Sequence, residues 1–531
     1  TLSHYWAGSI INAGTLISDT AGQTFTISPT NFTNDTTGVV RATLGTTNIS
    51  AANFTSNAGS LLEVNGGTLT LSPTLWNGAS NLNLTAGILN MDTAFSAASL
   101  GTYTRTGGTF NIGAAGNLDN TATLLDVNAG LFGAGGLGTL SGKITGGTIT
   151  GTTLTSASGT LNNVIIGSNL SESGTLFITN GLTLASGVTV NKGNSTWYFD
   201  GQSTGQAAGT VHHLATQGSS TVTSTGGALN IYAANGQILQ IDSGVTVQGY
   251  GTLSHYWAGS IINAGTLISN TAGQTFTISP TNFTNNGTMT VTAGTLTINP
   301  TTFTNAATGN VTSSGTSTIN ITPTNLSNAG AITLGGTVAT IGSGINAWTN
   351  TGSIALNAGA LSLAGTFSAV QLAPANYTRL GGTTFNLAGL YDNTSVTLDI
   401  GGAGIFGTGG LTTINGVTGG GTIKGGTVIS GDGTALTFTG GWLALDGVTL
   451  GDATHQTLTT VGSLSLFNGV TLADGVTVNK GNGIWYFNGQ DNPQAAGTVH
   501  HLATLGTSTV NSTGGNIYIY AANGQTLQID S

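Results

Sequence analysis

The sequence has no cysteine, and proline accounts for only seven of its 531 residues. The absence of cysteine excludes disulfide bonds, thiol nucleophiles and thiolate metal sites. The 87 glycines follow no strict three-residue period, so together with the scarcity of proline they exclude a collagen triple helix. The fold must therefore come from backbone pairing and side-chain packing without covalent cross-links.

Charged side chains are also scarce, at 5% of the sequence against about 25% in an average soluble protein. With only seven lysines and arginines, the chain could neutralise few phosphates, which argues against a nucleic-acid partner. No apolar run approaches the ~18 residues of a membrane-spanning helix. A net charge of only −10 over 531 residues also disfavours an intrinsically disordered chain.

A long tandem repeat dominates what is present. The segment TLSHYWAGSIINAGTLISDTAGQTFTISPTNFTN at residues 1–34 returns at residues 252–285 with one change, from Asp19 to Asn270. Farther along, VHHLAT at Val211 returns at Val499. We therefore divide the chain into a first repeat at 1–251 and a second, longer repeat at 252–531, and we expect both to belong to a longer array.

A shorter period runs inside each long repeat. The motif T-x-T-[IL]-x-P-T-x-[FLW]-T-N recurs every 20 to 23 residues in its clearest copies, and the second repeat holds one more copy than the first. Its large apolar residue falls at Phe32, Phe54 and Trp76, and again at Phe283, Phe303, Leu326 and Trp348. A chain that gains one whole unit without disturbing its neighbours is typical of a stacked repeat architecture.

Within each unit, apolar residues alternate with Thr, Ser or Asn, and Gly or Asn follows. Period two indicates strands with one inward face, so Leu296 and Ile298 should point inward and Thr295 and Thr297 outward. We therefore predict an all-β fold, a parallel β-solenoid of ~24 coils at ~22 residues each. Asn shared by successive units could form a stacked amide ladder or serve as ordinary turn residues.

Several glycine-rich segments carry a resemblance to a known class of proteins. NAGTLIS, NGGTLTLS, GLFGAGGLGTLSG at 130–142 and GTGGLTTINGVTGGGTIKGGTV at 407–428 resemble passenger regions of bacterial autotransporters and filamentous-haemagglutinin-type exoproteins. The resemblance implies a right-handed parallel β-helix, export to the bacterial cell surface or beyond, and a role in adhesion, biofilm or surface structure.

The candidate catalytic and metal-binding residues are few. The 17 acidic residues are scattered, and Asp200 in the first repeat becomes Asn488 in the second, so we predict no enzyme. A polysaccharide-acting enzyme remains a minor alternative, with the recurring Asp-Asn-Thr segments at 119–121 and 392–394 as its best carboxylates. The pairs His212-His213 and His500-His501 should point to opposite faces of a strand, so we expect neither a metal site nor a cofactor.

The aromatic segments Trp197-Tyr198-Phe199 and Trp485-Tyr486-Phe487 are the candidate ligand-binding residues. Of these, Trp197, Tyr198, Trp485 and Tyr486 could face a sugar, although large rings also fill the interior of wide coils. Outward Thr-x-Thr pairs such as Thr24 and Thr26 suggest ice binding as another minor alternative, but Thr47-Asn48 should interrupt that ladder.

These observations favour a structural function. We expect an extracellular surface filament or adhesin stalk that associates with itself or extends as a long repeat array. The alternative is a carbohydrate- or surface-binding adhesin in which the solenoid surface itself recognises glycans.

Overall fold

The computed structural model describes residues 1–200, 205–344, 346–415, 420–440, 443–488 and 494–531. Residues 416–419, inside one of the glycine-rich segments quoted above, lie outside this part of the chain. Strands hold 57% of the residues and form a parallel β-solenoid, so the predicted all-β solenoid fold is confirmed. No helix among the described residues is long and apolar enough to cross a membrane.

The chain divides into two compact units, Thr1–Thr266 and Leu267–Ser531. Among the described residues of the first unit, two single-turn 3₁₀ helices accompany the strands, at Ala98–Leu100 and Gly130–Phe132. The strands there are Ser9–Asn12, Thr15–Ser18, Thr24–Ile27, Asn31–Asn34, Val39–Ala42, Thr46–Ile49, Asn53–Ser56, Leu61–Leu71, Leu75–Gly78, Asn81–Met91, Ala94–Ser96, Thr102–Arg105, Thr109–Ile112, Asn117–Asp119, Leu124–Asp126, Leu137–Leu140, Lys143–Thr145, Thr148–Thr150, Thr153–Ile166, Leu170–Leu184, Thr189–Lys192, Ser195–Phe199, Val211–Thr216, Ser220–Ser224, Leu229–Ala234, Ile238–Ile241, Val245–Gly249, Gly251–Tyr256 and Ser260–Asn263.

The second unit is built in the same way. Its strands are Thr266–Ile278, Asn282–Asn285, Thr288–Ile298, Thr302–Asn305, Asn310–Ser314, Thr318–Ile321, Asn325–Asn328, Ala331–Gly335, Val338–Ile341, Thr349–Asn350, Ser353–Leu356, Ala360–Leu363, Thr366–Phe367, Tyr377–Arg379, Thr384–Leu387, Leu390–Asp392, Thr397–Asp399, Thr413–Asn415, Thr422–Lys424, Thr427–Ile429, Leu436–Thr439, Ala444–Leu450, Thr457–Val461, Leu464–Leu472, Thr477–Lys480, Ile484–Phe487, Val499–Thr504, Thr509–Ser512, Tyr518–Ala521 and Thr526–Ile529.

Successive coils pair in parallel, one coil length apart in sequence. Ser9–Asn12 pairs with Asn31–Asn34, which pairs with Asn53–Ser56 and then Leu75–Gly78. This register stacks the rings of Phe32, Phe54 and Trp76 almost parallel, with centroids 5.3 and 6.5 Å apart. The short sequence period is therefore the length of one coil, and the large apolar residue is its core position.

The stack of large apolar residues inside the coils, here called the core column, has one more member in the second unit than in the first. Phe283 pairs with Phe303, Phe303 pairs with Leu326, and the strand of Leu326 pairs with Thr349–Asn350, next to buried Trp348. The extra unit seen in the sequence thus occupies one additional coil, and the coils on either side of it keep their register.

Asparagine forms a buried ladder beside this column. The Nδ2 group of Asn285 donates to Oδ1 of Asn305 at 2.8 Å, Asn305 donates to Asn328 at 2.8 Å, and Asn328 donates to Asn350 at 2.7 Å. The first unit has the same contact between Asn12 and Asn34, at 2.8 Å. Of the two readings that the sequence allowed, the amide ladder is the one observed.

The solenoid makes about 21 turns, fewer than the ~24 expected from a uniform ~22-residue coil. The difference arises because some coils are longer than the sequence period. Tyr391 pairs with Ile423, and Phe487 pairs with Ala521, so these coils take more than 30 residues each.

The threonine rows on the outer face differ from the expectation. Thr24, Thr46 and Thr68 pair in register and form one short continuous row, whereas the neighbouring row reads Thr26, Asn48 and Thr70. Thr47 is fully buried and its hydroxyl donates to Ser18 at 2.8 Å. Only Asn48 therefore interrupts an outward row.

Candidate functional site

An aromatic ladder on the outer surface is the most distinctive feature of the first unit. Phe177 pairs with Tyr198, and Tyr198 pairs with Tyr232, on three successive coils. Their ring centroids lie 5.3 and 5.4 Å apart, with interplanar angles of 21° and 24°. Tyr256 meets Tyr198 edge-on at 5.6 Å, and Trp257 meets Tyr256 edge-on at 6.0 Å. We call Phe177, Tyr198, Tyr232, Tyr256 and Trp257 the outer aromatic ladder.

The ladder presents two kinds of surface. The stacked rings of Phe177, Tyr198 and Tyr232 cover one another, so their edges face outward. At the end of the ladder, Tyr256 is 51% exposed and Trp257 is 74% exposed. Aromatic edges and faces of this kind contact apolar patches of a ligand, while tyrosine hydroxyls can form hydrogen bonds.

The four candidate ligand-facing aromatics divide between the surface and the core. Tyr198 and Tyr486 lie on the outer face, where each is partly exposed. Trp197 and Trp485 are each only 1% exposed and point into the coil interior. Because neighbouring strand residues point to opposite faces, one aromatic of each pair had to turn inward. The tryptophans therefore cannot contact a surface ligand in this conformation, and the tyrosines can.

The second unit carries a shorter version of the ladder. Tyr486 pairs with Tyr520, their centroids are 6.0 Å apart, and the planes are tilted by 43°. On its other side, Tyr486 pairs with Ser465, where the first unit has Phe177 at the equivalent position. The two repeats thus differ in the length of their outer aromatic surface.

Inside the coil behind the ladder lies a buried polar cluster. Glu172 and Lys192 pair in register on adjacent coils, and both are almost fully buried. The Lys192 amino group lies 3.6 Å from a Glu172 carboxylate oxygen, donates to the Ser195 hydroxyl at 2.7 Å, and sits 4.2 Å from the centre of the Trp197 ring. Trp197 Nε1 donates to the same Glu172 oxygen at 2.9 Å.

Burial sets the protonation behaviour of this cluster. It raises the pKa of the Glu172 carboxyl, against the opposing effect of Lys192. It lowers the pKa of the Lys192 amino group to about 7, again against its partner. Both shifts have the sign expected when a charged group is removed from water. Glu172 is 2% exposed, so the cluster is a structural contact inside the solenoid.

The second repeat keeps the lysine and loses the acid. Thr460 pairs with Lys480, as Glu172 pairs with Lys192. The Lys480 amino group donates instead to the carbonyl of Gly483 at 2.5 Å, and burial lowers its pKa. Within the described residues, Thr460 Oγ1 and Trp485 Nε1 have no hydrogen-bond partner. This pair of sites provides a natural comparison within one chain.

Sequence reasoning overlooked both buried lysines. Lys192 lies two residues after buried Val190 on the same strand, and Lys480 lies two residues after buried Val478. Residues two apart on a strand point to the same face. The alternation of strand side chains between the two faces could by itself have placed these lysines inside the coil. The assumption that polar strand residues point outward hides this signal.

The histidine pairs divide as expected between the two faces of a strand. His212 is buried, and its Nε2 lies 3.2 Å from Gln237 Oε1, while His213 is exposed and lies 2.9 Å from an Asp242 carboxylate oxygen. Burial lowers the pKa of His212. Across the part of the chain that the structure describes, no group of three or more His, Asp or Glu is arranged to hold a metal ion.

Two arginines fasten glycine-rich loops to the coil before them. Arg105 Nη1 donates to the carbonyls of Phe132 and Gly136, at 2.8 and 2.5 Å. Arg379 makes the matching contacts with Phe406 and Gly410, at 3.2 and 2.5 Å. Both arginines are the last residues of their strands, Thr102–Arg105 and Tyr377–Arg379, and hold the following glycine-rich loops in place. The recurring G-[LI]-F-G-x-G-G segment one coil later was the signal for this pairing.

The Asp-Asn-Thr segments form turns. The Asp119 carboxylate accepts from the backbone N–H of Thr121 at 3.0 Å, and Asp392 accepts from Thr394 at 3.1 Å. Hydrogen bonds from these threonines lower the pKa of both carboxyls. Beside the first turn lies a surface cavity of about 780 Å³, lined by uncharged Thr, Asn, Gly, Ala, Leu and Ile residues between Thr121 and Thr183.

Comparison with known proteins adds no assignment to this geometry. No protein-family model, curated protein or solved structure matches the chain.

Proposed function

We propose that this chain is a structural element of the bacterial cell surface, either a segment of a surface filament or the stalk of an adhesin. The extracellular placement is supported by the resemblance of its glycine-rich segments to exported passenger regions. The structural role is supported by the way successive coils are joined.

The observation that carries this proposal is the coil-to-coil continuity of the backbone and the buried ladders. From Asn285 to Asn350, each coil is joined to the next by parallel strand pairing, by an amide–amide hydrogen bond and by packing of the core column. Each coil needs only its neighbours, so a structure of this kind extends by adding coils. That is the property a filament or stalk requires.

Localisation and gene deletion in the source bacterium test the proposal together. Antibodies against the purified chain should label intact cells, and treatment of intact cells with an external protease should remove the label. Electron micrographs of the wild type should show thin unbranched surface filaments, or a surface layer, that the deletion strain lacks. Antigen detectable only after lysis, with an unchanged surface in the deletion strain, would contradict the proposal.

The outer aromatic ladder supports a second candidate function, binding of surface glycans. Its tyrosines combine apolar ring edges with hydroxyl groups on one partly exposed face, which suits ligands with both apolar and polar patches. If this function operates, a glycan array probed with the chain should give specific binding that Tyr198→Ala or Tyr232→Ala abolishes. Tyr103→Ala, which changes a tyrosine outside the ladder, should leave binding intact.

A further inference from the structure

The surface cavity beside the Asp119 turn spans four successive coils of the first unit. The strands that run past it are paired in parallel, and they are Asn117–Asp119, Lys143–Thr145, Thr153–Ile166 and Leu170–Leu184. With a volume of about 780 Å³, the cavity falls within the size range of sites that bind small molecules. We call it the Thr-Asn cleft, after the side chains that line it.

The lining of the Thr-Asn cleft offers hydrogen bonds without charge. Every one of the described residues that line it is uncharged, and its polar side chains include Thr145, Thr148, Asn162, Asn163, Asn180 and Thr183. Threonine hydroxyls and asparagine amides can each donate and accept hydrogen bonds. A charged ligand would lose its hydration here without gaining a partner of opposite charge, whereas an uncharged ligand rich in hydroxyl groups would find donors and acceptors.

Contacts within the wall hold these groups in place. The Asn180 amide donates to Oδ1 of Asn162 at 2.6 Å, and the Thr179 hydroxyl donates to the same oxygen at 3.1 Å. The N–H of Gly146 donates to the backbone carbonyl of Asn162 at 2.9 Å. Asn163 and Asn180 both have a left-handed backbone, with φ of 51° and 57°. Little ordering is needed before a ligand binds, which lowers the cost of association.

The cleft favours a carbohydrate over a peptide among uncharged ligands. Thr153–Ile166 is paired on both sides, with Lys143–Thr145 and with Leu170–Leu184, so it offers no free edge to which a peptide strand could be added. Recognition must come from side chains. Besides the hydroxyl and amide groups, the lining includes Leu124, which is 72% exposed and can contact the apolar C–H face of a sugar ring.

The second repeat builds the same turn with charged residues. Lys424 pairs with Asp446 in the register in which Thr145 pairs with Asn162. The N–H of Gly425 donates to the backbone carbonyl of Asp446 at 2.8 Å, so the hydrogen bond between the coils is also kept. The backbone of this turn therefore accepts either charged or uncharged residues, and the uncharged lining in the first repeat is not imposed by the fold.

We propose that the Thr-Asn cleft binds a neutral oligosaccharide. The threonine hydroxyls and asparagine amides would form hydrogen bonds with the sugar hydroxyls, and Leu124 would contact the apolar face of a ring. The corresponding turn of the second repeat would not bind the same ligand, because Lys424 and Asp446 place charges there. The inference goes beyond the proposed structural role, and it gives the second candidate function a site other than the outer aromatic ladder.

A microarray of neutral, sialylated and uronic-acid oligosaccharides, probed with the full chain, tests the site. The wild type should bind neutral oligosaccharides. The double variant Thr145→Lys, Asn162→Asp carries the residues of the second repeat and should bind them more than ~tenfold more weakly, because it sets charges against an uncharged ligand. The matched control is Asn83→Asp, Thr104→Lys, which makes the same changes at a paired Asn and Thr outside the cleft and should bind like the wild type.

Three results would overturn this assignment. They are an array on which no neutral oligosaccharide binds, a cleft variant that binds them as the wild type does, and an equal loss in the control. Thr148→Lys, a second change in the cleft, keeps the test decisive if circular dichroism shows the double variant to be unfolded. Tyr198→Ala should retain the neutral ligands, and their loss in this variant alone would assign them to the outer aromatic ladder. Antibody labelling of intact cells tests the surface role separately.

Discussion

At the scale of single residues, the ladder of buried asparagines joins coils through side chains. Each asparagine in the interior of the ladder accepts a hydrogen bond from the asparagine before it and donates one to the asparagine after it. Its buried side-chain amide therefore has a partner on both neighbouring coils. Burying a polar group costs little folding free energy when its hydrogen bonds are made. Removing one partner leaves the other groups buried without a hydrogen bond, which destabilises the fold. The ladder therefore fixes the axial register of the coils.

Asn305→Ala tests the contribution of one rung. The change removes the acceptor of the Asn285 amide and the donor to Asn328, so we expect a loss of about 2 kcal/mol in the free energy of unfolding. Asn325→Ala, in an exposed position three residues before a rung, should cost less than ~0.5 kcal/mol. Urea denaturation followed by circular dichroism gives both values. Equal costs at the two positions would show that the ladder adds nothing.

The buried lysine of the first repeat should make stability depend on pH. The pKa of Lys192 is about 7 in the folded chain and 10.5 in an exposed lysine. Between these values the unfolded chain keeps a proton that the folded chain has released. The Lys192 contribution to folding therefore grows as the pH rises from about 7 toward 10.

Thermal unfolding at pH 7.5 and 9.5 measures this effect. The wild type should gain stability between the two pH values relative to Lys192→Met, which removes the titrating group. Lys143→Met, at a partly exposed lysine, should keep the wild-type pH dependence. The interpretation fails if Lys192→Met and the wild type respond identically to pH.

At the scale of strands and coils, the alternation of residue types decides which face points inward. Leu296 is 1% exposed and Ile298 is fully buried, while Thr295 and Thr297 are partly exposed. Leu296→Ala should therefore cost about 3 kcal/mol, because it removes buried methyl groups and leaves a cavity. Thr297→Ala should cost less than ~0.5 kcal/mol. Chemical denaturation distinguishes the two, and a larger cost at Thr297 would reverse the assigned faces.

A whole coil should be removable, whereas part of a coil should not. Deleting residues 302–324 places Asn325–Asn328 where Thr302–Asn305 stood, and it preserves both the core column and the asparagine ladder. We expect this variant to fold and to melt within a few degrees of the parent. Deleting only residues 302–313 brings unlike strands into register and should give a protease-sensitive chain. Comparable protease resistance in both deletions would argue against a stack of independent coils.

The sequence predicted the repeated strands and their facing well wherever Thr or Asn alternates with Leu, Ile or Phe. It did not place Trp197 and Tyr198, because both are large and their strand has no polar alternation that assigns a face. Nor did it reveal the outer aromatic ladder, since Phe177, Tyr198 and Tyr232 are separated by 21 and 34 residues. A search at the ~22-residue period cannot align rings from coils of such unequal length.

At the scale of the whole molecule, the coils are the units of structure, and we expect them to resist force applied along the chain. A fully extended coil of ~22 residues measures ~75 Å, which sets the length released when one coil detaches. Coils held by pairing and ladders to their neighbours should unfold in groups of whole coils. A globular domain of similar size would instead release its entire length at once.

Single-molecule pulling between the two ends of the chain tests this claim most directly. We expect a series of force peaks whose contour-length increments are multiples of ~75 Å, the length of one extended coil. The variant lacking residues 302–324 should shorten the total released length by one such increment and leave the peak forces unchanged. Unfolding in one or two large steps at low force, with no increment related to a coil, would show that single coils are not the units of structure.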